Sequence, residues 1–188
     1  MTLVFVAGLI SSVLSVSFFY RLKKYCLILA CVDFSDYSLM TLEYAVELAK
    51  GSETQIIVFN VINQGDINSI EMVGGYFPGY FVDTINAEDY LKDQKKDRYE
   101  KMKAIIKENF FDEKSRMSMK IDVGIPFESI LKAVETEDID LVVMANKGRG
   151  NISRVLFGSV AEKVFRHSPV PVVSVRDKNK FKRGNNNI

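Results

Sequence analysis

The residues with most chemical content run from Met144 to Val160: Met-Ala-Asn-Lys-Gly148-Arg149-Gly150-Asn-Ile-Ser-Arg154-Val-Leu-Phe-Gly158-Ser159-Val160. Glycines in a turn that opens a helix let backbone N–H groups approach a phosphate closely. The helix start adds unpaired donors and a partial positive charge. Ser159 brings a hydroxyl donor, and Arg149 or Arg154 a cation for phosphate oxygens. The same residues also make an ordinary glycine turn with a serine cap, so local chemistry leaves both readings open. No Lys-Ser/Thr pair follows the glycine spacing of a Walker loop, and the Gly-x-Gly-x-x-Gly dinucleotide fingerprint is missing.

The remaining polar candidates carry less. Asp33 closes an apolar run, where a carboxylate caps the next turn or meets a ribose hydroxyl more readily than it serves as a general base. Asp36 suits the first turn of the following helix, favoured by its dipole. His167, the only histidine, falls late in the last helical stretch and reads as a dipole partner or packing residue. With no second histidine or nearby cysteine, it makes neither a metal site nor a nucleophile–base pair. Cys26 and Cys31 lie on one extended run, their Cα atoms roughly 16 Å apart, too far for a disulfide. They read as small core hydrophobes.

The elements that would position these residues alternate. Tyr25 to Val32 is continuously apolar, as a strand buried on both faces should be. Leu39, Leu42, Ala45, Val46 and Ala49 recur at helical spacing, with Gly51 as the stop. Gln55 to Ile62 predicts a second buried strand. Asn63 to Asp83 is polar and glycine-rich, and reads as a long loop containing an aromatic stretch from Tyr76 to Phe81. That stretch suits a lid, a partner contact, a membrane-surface element or a loop packing its own aromatics. Residues 85 to 111 predict a charged amphipathic helix with Met102, Ile105, Ile106 and Phe110 inward. Met117 to Val123 alternates like an edge strand, and Pro126 opens a helix carrying Phe127, Ile130, Leu131 and Val134. Ile139 to Ala145 is a fourth strand, a last helix follows Gly158, and Val170 to Val175 is the fifth strand. Such repeated alternation predicts parallel strands joined by right-handed crossovers with helices on both faces. Ligands bind such sheets beyond the carboxyl ends of the strands, where strand order reverses. The residues just after the first, second and fourth strands are therefore the place for a site.

Several motifs in order resemble the universal stress protein family. Val32-Asp33-Phe34-Ser35 is similar to its Val-Asp-x-Ser at the end of the first strand, and Val123-Gly124-Ile125-Pro126 to its Val-Gly-x-Pro turn. Ala145-x2-Gly148-x9-Gly158-Ser159 resembles its nucleotide motif, Gly-x2-Gly-x9-Gly-Ser/Thr, with Ala145 in place of the first glycine. Val160 to Val164 and Arg166 to Val173 resemble its last helix and strand. The likeness runs from about Lys23 to Arg176.

The resemblance implies an α/β fold: an open five-stranded parallel sheet in the order 3-2-1-4-5, Rossmann-like, usually a homodimer, binding ATP or AMP, the former with Mg²⁺. By position, Asp33 would meet the adenine or ribose end, Val61 and Met144 would line the base pocket, and Ala145 would approach the ribose. Gly148, Arg149, Gly158, Ser159 and Val160 would surround the phosphates. The methyl of Ala145 is tolerable if its backbone has negative φ and no ligand atom needs the space.

At 188 residues with 47% hydrophobic and 26% charged residues, the chain suits one domain with a real core. A formal charge of +1 gives no preference for nucleic acid. The chain divides into a hydrophobic segment at 1–22, the domain at 23–176 and a basic polar tail at 177–188. Thr2 to Tyr20 carries no charge and Arg21-Leu-Lys23-Lys24 follows, which reads either as a membrane anchor or as an over-long gene start. Either reading keeps the domain facing the cytoplasm, held at the inner face of the membrane if the anchor is real.

A binding module that senses or regulates through nucleotide occupancy is the first functional reading. The rivals are a slow ATPase, for which no activated-water set is evident, and an interaction protein of the same fold with an empty site. Dimerisation through the last strand would cover an otherwise open sheet edge.

Overall fold

The computed structural model describes residues 26–76, 87–147 and 158–176. The apolar runs form five strands: β1 (Leu27–Cys31), β2 (Gln55–Asn63), β3 (Met117–Gly124), β4 (Leu141–Ala145) and β5 (Val172–Val175). They make one sheet in the order β3-β2-β1-β4-β5. All pairs are parallel, with Cys31 beside Phe59 on one flank and beside Met144 on the other. The expected architecture is therefore the observed one.

Among the described residues five α-helices connect the strands: α1 (Tyr37–Ala49), α2 (Gln64–Tyr76), α3 (Ala87–Asn109), α4 (Pro126–Thr136) and α5 (Ser159–His167), with a 3-10 helix at Phe111–Arg116 leading into β3. Side chains alternate across the sheet, so β1, β2, β4 and β5 feed two cores, while β3 gives Met117, Met119 and Ile121 to one of them. Ile28 and Ala30 of β1, Ile56 and Val58 of β2, and Val143 of β4 pack beneath Leu42 and Ala45 of α1 and Met102 and Ile106 of α3. On the opposite face Leu29, Phe59, Val142 and Met144 pack against Ile130 and Val134 of α4 and Val164 of α5. Helices thus cover both faces, as continuously apolar central strands require. Gly51, at φ +69, makes the left-handed turn that releases the chain from α1 toward β2.

Two expectations need correction. Residues 64–76 are helical rather than part of a loop. Asn63 Oδ1 accepts the Gly65 N–H at 3.1 Å, Ser69 Oγ donates to the Gly65 carbonyl at 2.8 Å, and Ile67 is buried. Local capping and the burial of Ile67 outweigh a composition rich in Gly and Asn. Cys26 is exposed rather than in the core, because the strand starts one residue later at Leu27 and Cys26 stays at its rim. Its N–H donates to Asp140 Oδ2 at 2.8 Å, which ties the start of β1 to the start of β4. Cys31 does pack against the α4/α5 core, where desolvation pushes its thiol up to about 12.

Among the described residues no helix is long and apolar enough to cross a membrane. The segment at 2–20, the aromatic stretch at 77–81 and the tail at 177–188 lie outside the described residues.

Candidate functional site

In this strand order the crossovers leave β1 toward β2 on one side and β4 toward β5 on the other, so the reversal falls between β1 and β4. The pairing of Cys31 with Met144 sets the depth of the crevice at their carboxyl ends. Asp33 stands two residues beyond one partner and Asn146 two beyond the other.

The β1 side is held by a dense local network. Asp33 Oδ1 accepts the Ser35 N–H at 3.0 Å, the Ser35 hydroxyl at 2.6 Å and the Ser38 hydroxyl at 3.2 Å. The Asp33 N–H donates back to Ser38 Oγ at 3.2 Å. This is the capping role open to a carboxylate at a strand end, built one step before α1. Between Asp33 and Ser35, Phe34 is held at φ 61, uncommon for a bulky residue and a strain kept by the surrounding bonds. Its ring packs against the α1/α3 core, and Lys101 Nζ of α3 lies 5.9 Å from the ring centroid. Asp36 precedes α1 and makes no side-chain cap bond to it.

On the β4 side, the Asn146 N–H donates to the Val175 carbonyl at 3.0 Å, which extends the β4–β5 ladder past the end of β4. The Asn146 carbonyl then accepts the Gly158 N–H at 2.7 Å. That bond fixes the first turn of α5 against the end of β4. Gly158, at φ −68 and ψ 152, precedes the helix, Ser159 is exposed at its first position, and Val160 is half-buried. Met144 is buried, and Ala145 is half-buried at the last position of β4, opposite Val175. Ala145 is not among the non-glycine residues with positive φ, which among the described residues are Phe34 and Asp138. The backbone condition for replacing the motif glycine is met. His167 ends α5 beside Arg166, whose cation complements the helix dipole.

Val61, on β2, is half-buried and packs toward the α4/α5 core. Its neighbour Asn60 went unnoticed in the sequence, sitting in an apolar strand, and so did Arg98 in a charged helix. Both are buried. Arg98 Nη1 donates to Asn60 Oδ1 at 2.9 Å and to the Val61 carbonyl at 3.3 Å. Asn60 Nδ2 donates to the Val32 carbonyl at 2.7 Å. The only sequence signal was an Asn interrupting a buried strand, since a buried polar group needs a partner.

The structure thus brings Asp33, Val61, Met144, Ala145, Gly158, Ser159 and Val160 to the carboxyl ends of β1, β2 and β4 and the start of α5. Gly148, Arg149 and Arg154 lie outside the described residues. Among the described residues no group of three or more His, Cys, Asp or Glu side chains is placed to hold a metal ion.

The sequence signature described as the Universal stress protein family matches residues 24–176. The chain belongs to the universal stress protein family. Universal stress protein MJ0577 of Methanocaldococcus jannaschii is 28% identical over 154 residues, which span 81% of this chain and 95% of that protein. A solved structure of MJ0577 superposes with a TM-score of 0.68 at 27% identity, over 83% of this chain and 99% of that one. Universal stress protein YxiE of Bacillus subtilis is 26% identical over 153 residues, covering 79% of this chain and 97% of that protein. A universal stress protein crystallised in complex with cAMP shares the fold, with a TM-score of 0.51 at 21% identity over 82% of this chain and 98% of that one.

Proposed function

We propose that this universal stress protein binds an adenine nucleotide, ATP or AMP, at the β1/β4 crevice and acts through its occupancy as a sensor or regulator. The observation that carries the reading is the bond from the Gly158 N–H to the Asn146 carbonyl at 2.7 Å. It holds the start of α5, with its outward N–H groups and the exposed Ser159, at the mouth of the crevice. A helix start presented in that way attracts a phosphate. The ligand class is brought by the family and by the same-fold protein that holds cAMP, itself an adenine nucleotide.

In this reading Gly158, Ser159 and Val160 meet the phosphates together with Gly148 and Arg149. Asp33 meets the adenine or ribose end, Val61 and Met144 line the base pocket, and Ala145 approaches the ribose. Mg²⁺ would arrive on the phosphates of ATP, which supply most of its ligands in such sites. Occupancy regulates only if the nucleotide prefers one arrangement of the surrounding loops over another. A second copy pairing along β5, an edge strand, would complete the dimer. Sedimentation of the chain with and without ATP tests that part, and cell fractionation tests the anchor reading of residues 2–20.

The test of the site is Gly158→Asp. At φ −68 the new side chain meets no backbone penalty. Its carboxylate would stand where the phosphates are proposed to lie, so the variant should fold like the parent and lose nucleotide binding.

A further inference from the structure

Arg98 lies on α3, a helix that none of the motif residues occupies, and bonds β2 beside the site. It lies midway along α3, only 7% exposed, a cation drawn into the layer between helix and sheet. Nη1 binds Asn60 Oδ1 at 2.9 Å and the Val61 carbonyl at 3.3 Å, while Nε faces Gln94 Oε1 at 3.4 Å. The Asn60 amide is fixed at both ends, since its Nδ2 donates to the Val32 carbonyl at 2.7 Å. Val32 immediately precedes Asp33. One guanidinium therefore ties the backbone of β2 at Val61 and, through one amide, the backbone at Val32, just past β1 and next to Asp33. One helical turn further along α3, Lys101 lies over the ring of Phe34, the strained residue that follows Asp33.

We infer that Arg98 is a positioning residue for the base-and-ribose end of the nucleotide site, setting the spacing between the β1 wall at Asp33 and the β2 wall at Val61. This rests on the nucleotide reading above. A buried guanidinium is costly to place unless its donors are satisfied, and a planar fork holding two acceptors fixes geometry in a way a flexible ammonium does not. Among the described residues, these bonds tie Arg98 to β2 and to Gln94, on the base-and-ribose side. Arg98 thus acts on one half of the ligand.

The test uses the full chain and titrates ATP, AMP and inorganic tripolyphosphate into the parent, Arg98→Met and Arg98→Lys, with melting curves for each. The amide resonances of Ser35 and Ser38 are followed by NMR without ligand. The expected result is about ten-fold weaker ATP and AMP binding by Arg98→Met, with tripolyphosphate changed by less than about two-fold. Arg98→Lys should fall between parent and Arg98→Met, and the Ser35 and Ser38 amides should shift in both variants. Folded Arg98→Met that binds ATP and AMP like the parent overturns the inference. So does an equal loss for all three ligands, which a general structural role would give. Should Arg98→Met fail to fold, Arg98→Lys keeps the buried charge, and the same two outcomes decide on it. A folded parent that binds no nucleotide overturns the functional reading itself, and this inference with it.

Discussion

Adding one methyl at Gly124 should destabilise the domain, and removing one hydroxyl at Ser129 should undo most of the damage. Gly124 ends β3 just before Pro126 opens α4. A Cβ built there would lie 2.7 Å from Ser129 Oγ, well inside the roughly 3.5 Å at which heavy atoms begin to attract. Ser129 is buried and its N–H is bonded to the Ile125 carbonyl at 2.9 Å, so the helix cannot back away freely. Overpacking of this kind costs about 1–3 kcal/mol. Since φ at Gly124 lies outside the left-handed region, the stiffer unfolded chain of the alanine variant returns about 0.4–1 kcal/mol. The net expectation for Gly124→Ala is a loss of about 1 kcal/mol, within a range of about 0–2.6, or about 2–4 °C in Tm for a chain of this size. In Gly124→Ala/Ser129→Ala the overlap is gone, and the double-mutant cycle should show a favourable coupling of about 1 kcal/mol or more. Urea unfolding of the four proteins measures it. Strict additivity of the two substitutions would refute the steric account of this turn.

Further outcomes follow from the same geometry. Asp33→Ala removes the acceptor of three donors and should cost about 1–2 kcal/mol in urea unfolding, independently of any ligand. The Cys31 thiol is raised from 9.0 to about 12, so the folded state holds its proton more tightly than the unfolded chain. Its contribution to stability is therefore complete below about pH 9 and lost as pH rises toward 12, a loss that Cys31→Ala should reduce in alkaline unfolding curves. At pH 8 a thiol reagent should label the exposed Cys26 in the native protein and Cys31 only after unfolding, and labelling of both at similar rates would contradict the packing described.

The sheet was legible because its central strands are buried on both faces and therefore appear as unbroken apolar runs, as in Leu27–Cys31 and Leu141–Ala145. The inner stripe of α3 was legible for a similar reason, with Met102 and Ile106 a turn apart and both buried. The place of the site follows from topology alone, since ligands bind beyond the carboxyl ends of the strands where strand order reverses. What was not legible depends on partners distant in sequence. Arg98 looks like any other charge on a long charged helix, and only the approach of Asn60, on a different element, makes it a buried anchor. The α2 segment is not legible because glycine and asparagine weigh against a helix on average, whereas the Asn63 cap and the burial of Ile67 act at single positions. The exposed Cys26 turned on a shift of the strand start, which apolar content cannot resolve.

The most direct measurement is calorimetric titration of the full chain with ATP and AMP, with and without Mg²⁺, beside Gly158→Asp. Saturable binding by the parent and none by a folded Gly158→Asp is the predicted result, and it would show that Ala145 serves in place of the motif glycine. A folded parent that gives no binding heat with either nucleotide, or a Gly158→Asp variant that binds as tightly as the parent, would contradict the account.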